Sequence, residues 1–547
     1  MKETAQDIKQ LYNELQNHKQ GFLSFYKDVE DYITINHPRV MGGDMPGTAR
    51  STDIVFDSSP ILMSNRLSAA LMSMLTSPSS KWFGLTVNDK RLMNMQAVKE
   101  WLVRVEDVIR ESLDNSNFYQ EIYKIYVDLV NYGTACLYVK PSNRADKELN
   151  FSARPIGEYV VTENEEGIID TVIRKFEFTA RQMIMEFGKR YVSKEVKEAY
   201  EEKPETKFEV LHCVYPRENV KPNKMNKANK PIASVWIQYA EEKVLRKDGY
   251  NSFPFVVPRW VTHAGEMYGR SPVYVAMPDI KTLNEAMKTL LKSAQKIADP
   301  LWSCPDEGVG DMTQEPGGVI YYDAMTSAKP EPYSLGGDLP ITNQIVEKIR
   351  ENIGNVFYAN QLHMIQSDRM TAEEVRIRAG ENSRILGPTF GMLNYEMLGP
   401  LIERVLDILS KSLDTDGNPM LPTPPAELAD KELKLTFTSP MAKSQKYHEA
   451  QSVLYTAQSA IEWSQIIPTV LDNVNWDEAI RLVGDSNGTP PTVFLDKEVV
   501  ENVRQVRANQ QRAMQEAQLN EQQAETAKKG TQALKNASSA EKTLRSD

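Results

Sequence analysis

Two stretches of nearly equal length constrain this chain more than anything else in it. Residues 278 to 298, PDIKTLNEAMKTLLKSAQKIA, place Ile280, Leu283, Met287, Leu290, Ala294 and Ile297 at three-and-four spacing, the period of one helix face. Pro278 suits a first helical turn, and Lys281, Glu285, Lys288, Lys292 and Lys296 fall opposite the apolar stripe. Residues 341 to 360 repeat the pattern with Ile345, Ile349, Ile353 and Val356 or Phe357. At the α-helical rise each would be about 30 Å long. Between them lie prolines 300, 305, 316, 330 and 332, the pairs Gly317-Gly318 and Gly336-Gly337, and the strand-like VIYYDAM. The spacing predicts two helices that lead out to a small β-rich knob and return from it. Such a hairpin cannot bury both of its apolar stripes alone, so it needs neighbours.

The rest of the chain divides into helical and strand-like stretches. Asp57 to Thr76 carries an apolar face of Ile61, Leu62, Leu67, Leu71, Met74 and Leu75, and Pro78 ends it. Trp82 and Phe83 are expected to bury against that helix. Residues 97 to 131 continue in helical period, and then ACLYVKP, GEYVVT, GIIDTVIRKFEF, KFEVLHCVYP and IASVWIQYA read as strands. Thr371-Ala-Glu-Glu374 forms a capping box that opens a helix running to about Ser412. Gly380, Gly387-Pro388, Gly391 and Gly399-Pro400 must kink it at least twice. A proline-rich link follows at 413 to 431, then the strand ELKLTFTSP and helical residues 444 to 483. The last fifty residues keep small side chains at heptad-like spacing, among them Val499, Val503, Val506, Ala513, Ala517 and Ala524. That pattern is too weak for an independent coiled coil and suits packing within an assembly. A chain of 547 residues should divide into roughly three or four units.

Composition excludes several function classes. Hydrophobic residues make up 41% and charged residues 25%, a globular balance, and no window approaches a bilayer span. The start, MKETAQDIKQ, lacks a secretory pattern, which predicts a cytoplasmic origin. Cys136, Cys213 and Cys304 are scattered without CxxC spacing, against a disulfide framework or a zinc ribbon. Lysine and arginine total 64 against 75 acidic residues, a net charge of −11, which disfavours tight DNA binding but not contact with DNA that slides. No phosphate-cradling G-x-x-x-x-G-K-[ST] exists for an ATPase. Six scattered histidines (18, 37, 212, 263, 363 and 448) do not form a metal site, and His448-Glu449 lacks a second histidine. Ser293-Ala-Gln-Lys296 has S-x-x-K spacing without the companion motifs of a serine acyltransferase. The chain is therefore read as a non-enzyme with no metal and no cofactor.

Three stretches carry a resemblance. The first runs from Asp57 to Leu85 and reads Asp-Ser-Ser-Pro followed by ILMSNRLSAALMSMLTSPSSKWFGL. With VNYGTACLYV (130 to 139) and GEMYGRSPVYVAMPDIKTLNEAMK (265 to 288), it resembles signature segments of portal proteins, the head-to-tail connectors of short-tailed phages. The resemblance spans 57 to 412 in order. It implies a mainly helical α+β fold with wing, stem, clip and crown regions, closed into a ring, usually dodecameric, around an axial channel. By position, 1 to 277 would be the wing, 278 to 298 and 341 to 360 the stem helices, and 299 to 340 the clip. Residues 361 to 370 would be the channel loop, 371 to 412 the kinked wing helix, 413 to 439 a link and strand, 440 to 497 the crown, and 498 to 547 a helical tail or short barrel.

The same resemblance implies a conduit for double-stranded DNA in packaging and ejection at one capsid vertex, assembled in the bacterial host cytoplasm. Its implied partners are copies of itself, transiently and sequence-independently held DNA, the terminase motor, tail adaptor or nozzle proteins, and the major capsid and scaffolding proteins, with no lipid membrane. The DNA-channel candidates are Lys288, Lys292 and Lys296 on the stem and Gln361, Gln366, Ser367 and Arg369 in the loop. The competing readings are a nucleic-acid-processing enzyme with an unrecognised site and a tail or scaffold protein that never meets DNA.

Overall fold

The computed structural model describes residues 4–35, 54–87, 89–93, 95–142, 144, 147–218, 220, 229–298, 302–303, 331–332, 339–359, 387–413, 417–428, 433–437, 440–487, 489, 493–495 and 497–543. It is a mainly helical α+β chain, as its sequence predicts. Its contacts group into two compact units, one holding 1–86, 103–424 and 432–444 and the other 87–102, 425–431 and 445–547. The expectation of three or four units is thereby corrected. The two matched helices pack on the N-terminal helices, so the first unit keeps one continuous set of contacts.

In the first unit, helix α1 (Ala5–Tyr32) is capped by Thr4, whose hydroxyl accepts the Asp7 N–H. Helices α2 (Ser59–Leu75) and α3 (Phe118–Tyr132) pack together. Trp82 is buried as expected, but it stacks on Phe118 of α3, with ring centroids 6.1 Å apart. Strands β1 (Cys136–Pro141), β2 (Leu149–Arg154) and β8 (Phe255–Val256) form a three-stranded antiparallel sheet with β1 in the centre. Strands β3 (Tyr159–Glu163), β4 (Ile169–Thr179), β5 (Lys207–Pro216), β6 (Ile232–Gln238) and β7 (Lys243–Tyr250) form a five-stranded antiparallel meander.

Strand alternation decides what covers each face of the meander. Ile173, Leu211, Cys213, Val235 and Ile237 face α1 and bury Ile8, Tyr12 and Leu15. Val210 and Trp236 face the other way, against Met183 and Phe187 of helix Ala180–Phe187 and Val196 of helix Lys194–Glu202. Lys19 of α1 is fully buried and donates to the carbonyls of Ile156 and Tyr159, the latter at 2.7 Å. Burial pulls its ammonium down to about 7.

Helices α4 (Pro272–Ala298) and α5 (Leu339–Val356) are the two matched helices of the sequence. They pack on each other, and between them they reach α1, α2 and α3. Residues Asn394–Leu398 form a π-helical segment running into α6 (Gly399–Leu409). In the second unit, helix Trp476–Asn487 is tied to α7 (Lys497–Thr543) by Arg504, whose guanidinium reaches Asp477 at 2.6 and 2.7 Å. The 47 residues of α7 span about 70 Å, and its described side chains are exposed almost throughout. No described helix is long and apolar enough to cross a membrane.

Candidate nucleic-acid interface

The helix that carries the lysine ladder starts earlier than its sequence predicts. Its first residue is Pro272, and Ser271 accepts the Tyr274 N–H at 3.0 Å as a cap. Pro278, expected in the first turn, lies in the second, where its missing N–H leaves the Tyr274 carbonyl without the usual helical donor. Proline is tolerated near a helix start, and a Ser-Pro pair six residues upstream fulfils the capping role better.

The root of α4 is where the three quoted segments meet. The Ser271 hydroxyl donates to the Asn131 carbonyl at 2.9 Å, the Gly269 N–H donates to the Thr134 hydroxyl at 2.8 Å, and the Trp260 N–H donates to the Gly133 carbonyl at 2.9 Å. Ser64 of α2 donates to the Asn131 side-chain oxygen at 2.6 Å. Farther along α4, Asn284 receives the Phe56 N–H at 2.7 Å and donates to the Ile54 carbonyl at 2.6 Å. Asp57 accepts two bonds from Arg350 of α5, at 2.8 and 2.9 Å. The segment 54–57 thus grips both helices. Burial works against the Asp57 charge, yet hydrogen bonds from Ser59 and Arg350, with the Arg350 charge, hold its carboxyl below the usual range.

A second lock holds the π-helical segment that leads into α6. Arg259 is buried, donates from its guanidinium to Glu163 at 2.8 Å, to the Gly167 carbonyl at 2.7 Å and to Glu396 at 2.6 Å, and its N–H reaches Glu396 at 2.9 Å. Glu396 belongs to the π-helical segment, so the irregular turn carries the carboxylate that the guanidinium requires. Asn284, Arg350, Arg259 and Glu396 are not among the residues that sequence reasoning singles out. Their long-range partners lie 92 to 293 residues away, and no local pattern announces such a pair.

The lysine ladder divides into two pairs. Lys281 meets Asp28 of α1 at 2.7 Å, and Lys288 meets Glu285 at 3.4 Å and lies 6.0 Å from the Phe56 ring centre. Lys292 and Lys296 are exposed and make no ion pair among the described residues. The apolar stripe is partly covered: Ile280 and Leu283 are buried, whereas Ile297 and, on α5, Ile345 are 51 and 54% exposed, and Leu291 beside the stripe is 45% exposed. Gln361, Gln366, Ser367 and Arg369 lie outside the described residues, as do the capping box at 371 to 374 and almost all of 299 to 338. The described residues contain no group of three or more side chains that could hold a metal ion.

A family model described as bacteriophage head to tail connecting protein matches residues 5–495. The chain belongs to this connector family. The resemblance read from the three segments is borne out. The chain is 30% identical over 541 residues to the portal protein of Salmonella phage epsilon15, covering 96% of both chains. It is 29% identical to the probable portal protein of Bordetella phage BPP-1, covering 95% of this chain and 94% of the relative. The portal protein of Escherichia phage T7 is 21% identical over 62% of this chain and 63% of its own. The connector match thus contains α1 to α6 and the three- and five-stranded sheets, and ends just before α7.

Proposed function

We propose that this chain is the subunit of a phage portal, a closed ring of identical copies at one capsid vertex through which double-stranded DNA is packaged and later ejected. The observation that carries this reading is the match along 96% of both chains to a protein named as a portal. In the ring, α4 and α5 form the stem, residues 299 to 340 the clip that docks the terminase motor and later the tail adaptor, 440 to 497 the crown and α7 a helical tail. Capsid and scaffolding proteins surround the wing.

The physical chemistry supports a conduit. Leu291, Ile297 and Ile345, uncovered in one chain, gain cover from neighbouring stems. Lys292 and Lys296 repeat around the axis as two belts of positive charge, with Lys288 above them partly engaged by Glu285. The loop residues Gln361, Gln366, Ser367 and Arg369 add weak contacts to phosphates at the narrowest point. A net charge of −11 per chain keeps affinity low, so phosphate contacts form and break as the duplex advances. Lys292→Glu with Lys296→Glu tests this. Rings should assemble normally while particles lose packaged DNA, and wild-type DNA content would move these lysines to the outer surface.

A further inference from the structure

One row of directly opposed residues crosses the five-stranded sheet: Arg174, His212, Trp236 and Arg246. The His212 and Trp236 rings stack 3.8 Å apart, and the Arg246 guanidinium lies 5.3 Å from the Trp236 ring centre. Arg174, Trp236 and Arg246 of this row floor a cleft of about 720 Å³, above the buried His212, whose other wall comes from the three-stranded sheet, with Tyr138, Lys140 and Arg154.

The charges in the cleft do not balance. Arg246 has its own acids, Glu186 at 2.9 Å and Asp248 at 2.8 Å, and Glu177 is taken by Lys207 at 3.0 Å. Arg154 and Arg174 share a single carboxylate, Glu158, which stands 3.2 Å from Arg174. The Arg174 side chain is 2% exposed. The Nε atoms of both Arg154 and Arg174 are buried with no acceptor among the described residues. A buried donor without an acceptor is costly, and two adjacent guanidiniums repel. Burial, and then the charge of Arg174, pull the Arg154 guanidinium below the ordinary arginine value. Aromatic rings fix both forks: Arg174 lies 4.6 Å from the Phe176 ring centre, and Arg154 lies 5.8 Å from that of Tyr138. His212 supplies no extra charge, because burial and then the nearby arginines keep it neutral.

We infer that the cleft between Arg154 and Arg174 is an oxyanion site that takes a carboxylate or a phosphate. An oxyanion in the cleft would cancel the surplus positive charge of the two guanidiniums, and paired guanidinium forks suit an oxyanion.

Isothermal titration of the full-length assembled protein, with citrate and with inorganic phosphate separately, tests the site. Saturable binding of at least one anion, with one site per chain, is expected. Citrate alone identifies a carboxylate ligand, and phosphate alone a phosphate. Arg154→Gln should weaken the binding about tenfold or more. Lys140→Gln, which removes a charge from the same cleft, should weaken it less, and it decides the matter if Arg154→Gln does not fold. No saturable binding of either anion, or unchanged affinity in the folded variants, overturns the inference.

Discussion

Gly133 and Gly269 meet backbone to backbone. A methyl group on Gly133 would stand 2.3 Å from the Gly269 carbonyl oxygen, and one on Gly269 would stand 2.4 Å from that of Gly133. Gly133 also has φ of +81°, which glycine adopts without strain. The two glycines end α3 and precede α4, so their contact sets where the long helix leaves the body of the first unit.

Gly269→Ala should therefore destabilise the protein by about 2–3 kcal/mol, the scale of forced overpacking against rigid backbone. Gly265→Ala is the comparison, since a Cβ at 265 meets nothing within 4 Å, although its positive φ adds modest strain. Urea denaturation of both variants checks this. Equal losses would show that the close approach is not what matters.

Arg259→Met should cost about 3 kcal/mol, because Glu163 and Glu396 would be left partly buried without their counter-charge. Glu396→Gln, which keeps a hydrogen-bonding oxygen, should cost less. A melting curve for Arg259→Met that overlays the wild type would contradict the role given to this lock.

Asp57 is depressed below its ordinary value of 3.8, so its pairing with Arg350 contributes stability above 3.8 that is lost as pH falls through the depressed value. Arg350→Met should lower the melting temperature most near neutral pH, and the difference from wild type should shrink in acid. A difference that does not depend on pH would mean that Arg350 acts by packing alone.

Lys19 has the opposite sign. Its value falls from 10.5 unfolded to about 7 folded, so between those limits the unfolded chain binds more protons. Stability therefore rises with pH across about 7 to 10.5, and below that window the full cost of burying the charge is present. Lys19→Met should remove this rise. The wild-type-minus-variant stability, measured from pH 7 to 9, is expected to climb, and a flat difference would sink the assignment.

Local pattern makes much of the fold legible. The strand Lys207–Pro216 has the bounds read from its sequence, because Leu211 and Cys213 alternate with Val210 and Val214 between opposite covered faces. The start of α4 is misplaced by sequence because Pro278 resembles a helix opener, whereas the true cap depends on Ser271 reaching Asn131, 140 residues earlier. The lysine ladder is legible as a face, but not the capture of Lys281 by Asp28. Arg154 and Arg174 give no signal at all, since the cleft exists only where two sheets meet.

A conduit for DNA requires a closed ring around a duplex-sized hole. Electron microscopy of the purified full-length protein measures it most directly. A ring of identical copies with an axial opening wide enough for a duplex of about 20 Å is expected. A monodisperse monomer at micromolar concentration, or an assembly without an axial opening, would contradict it.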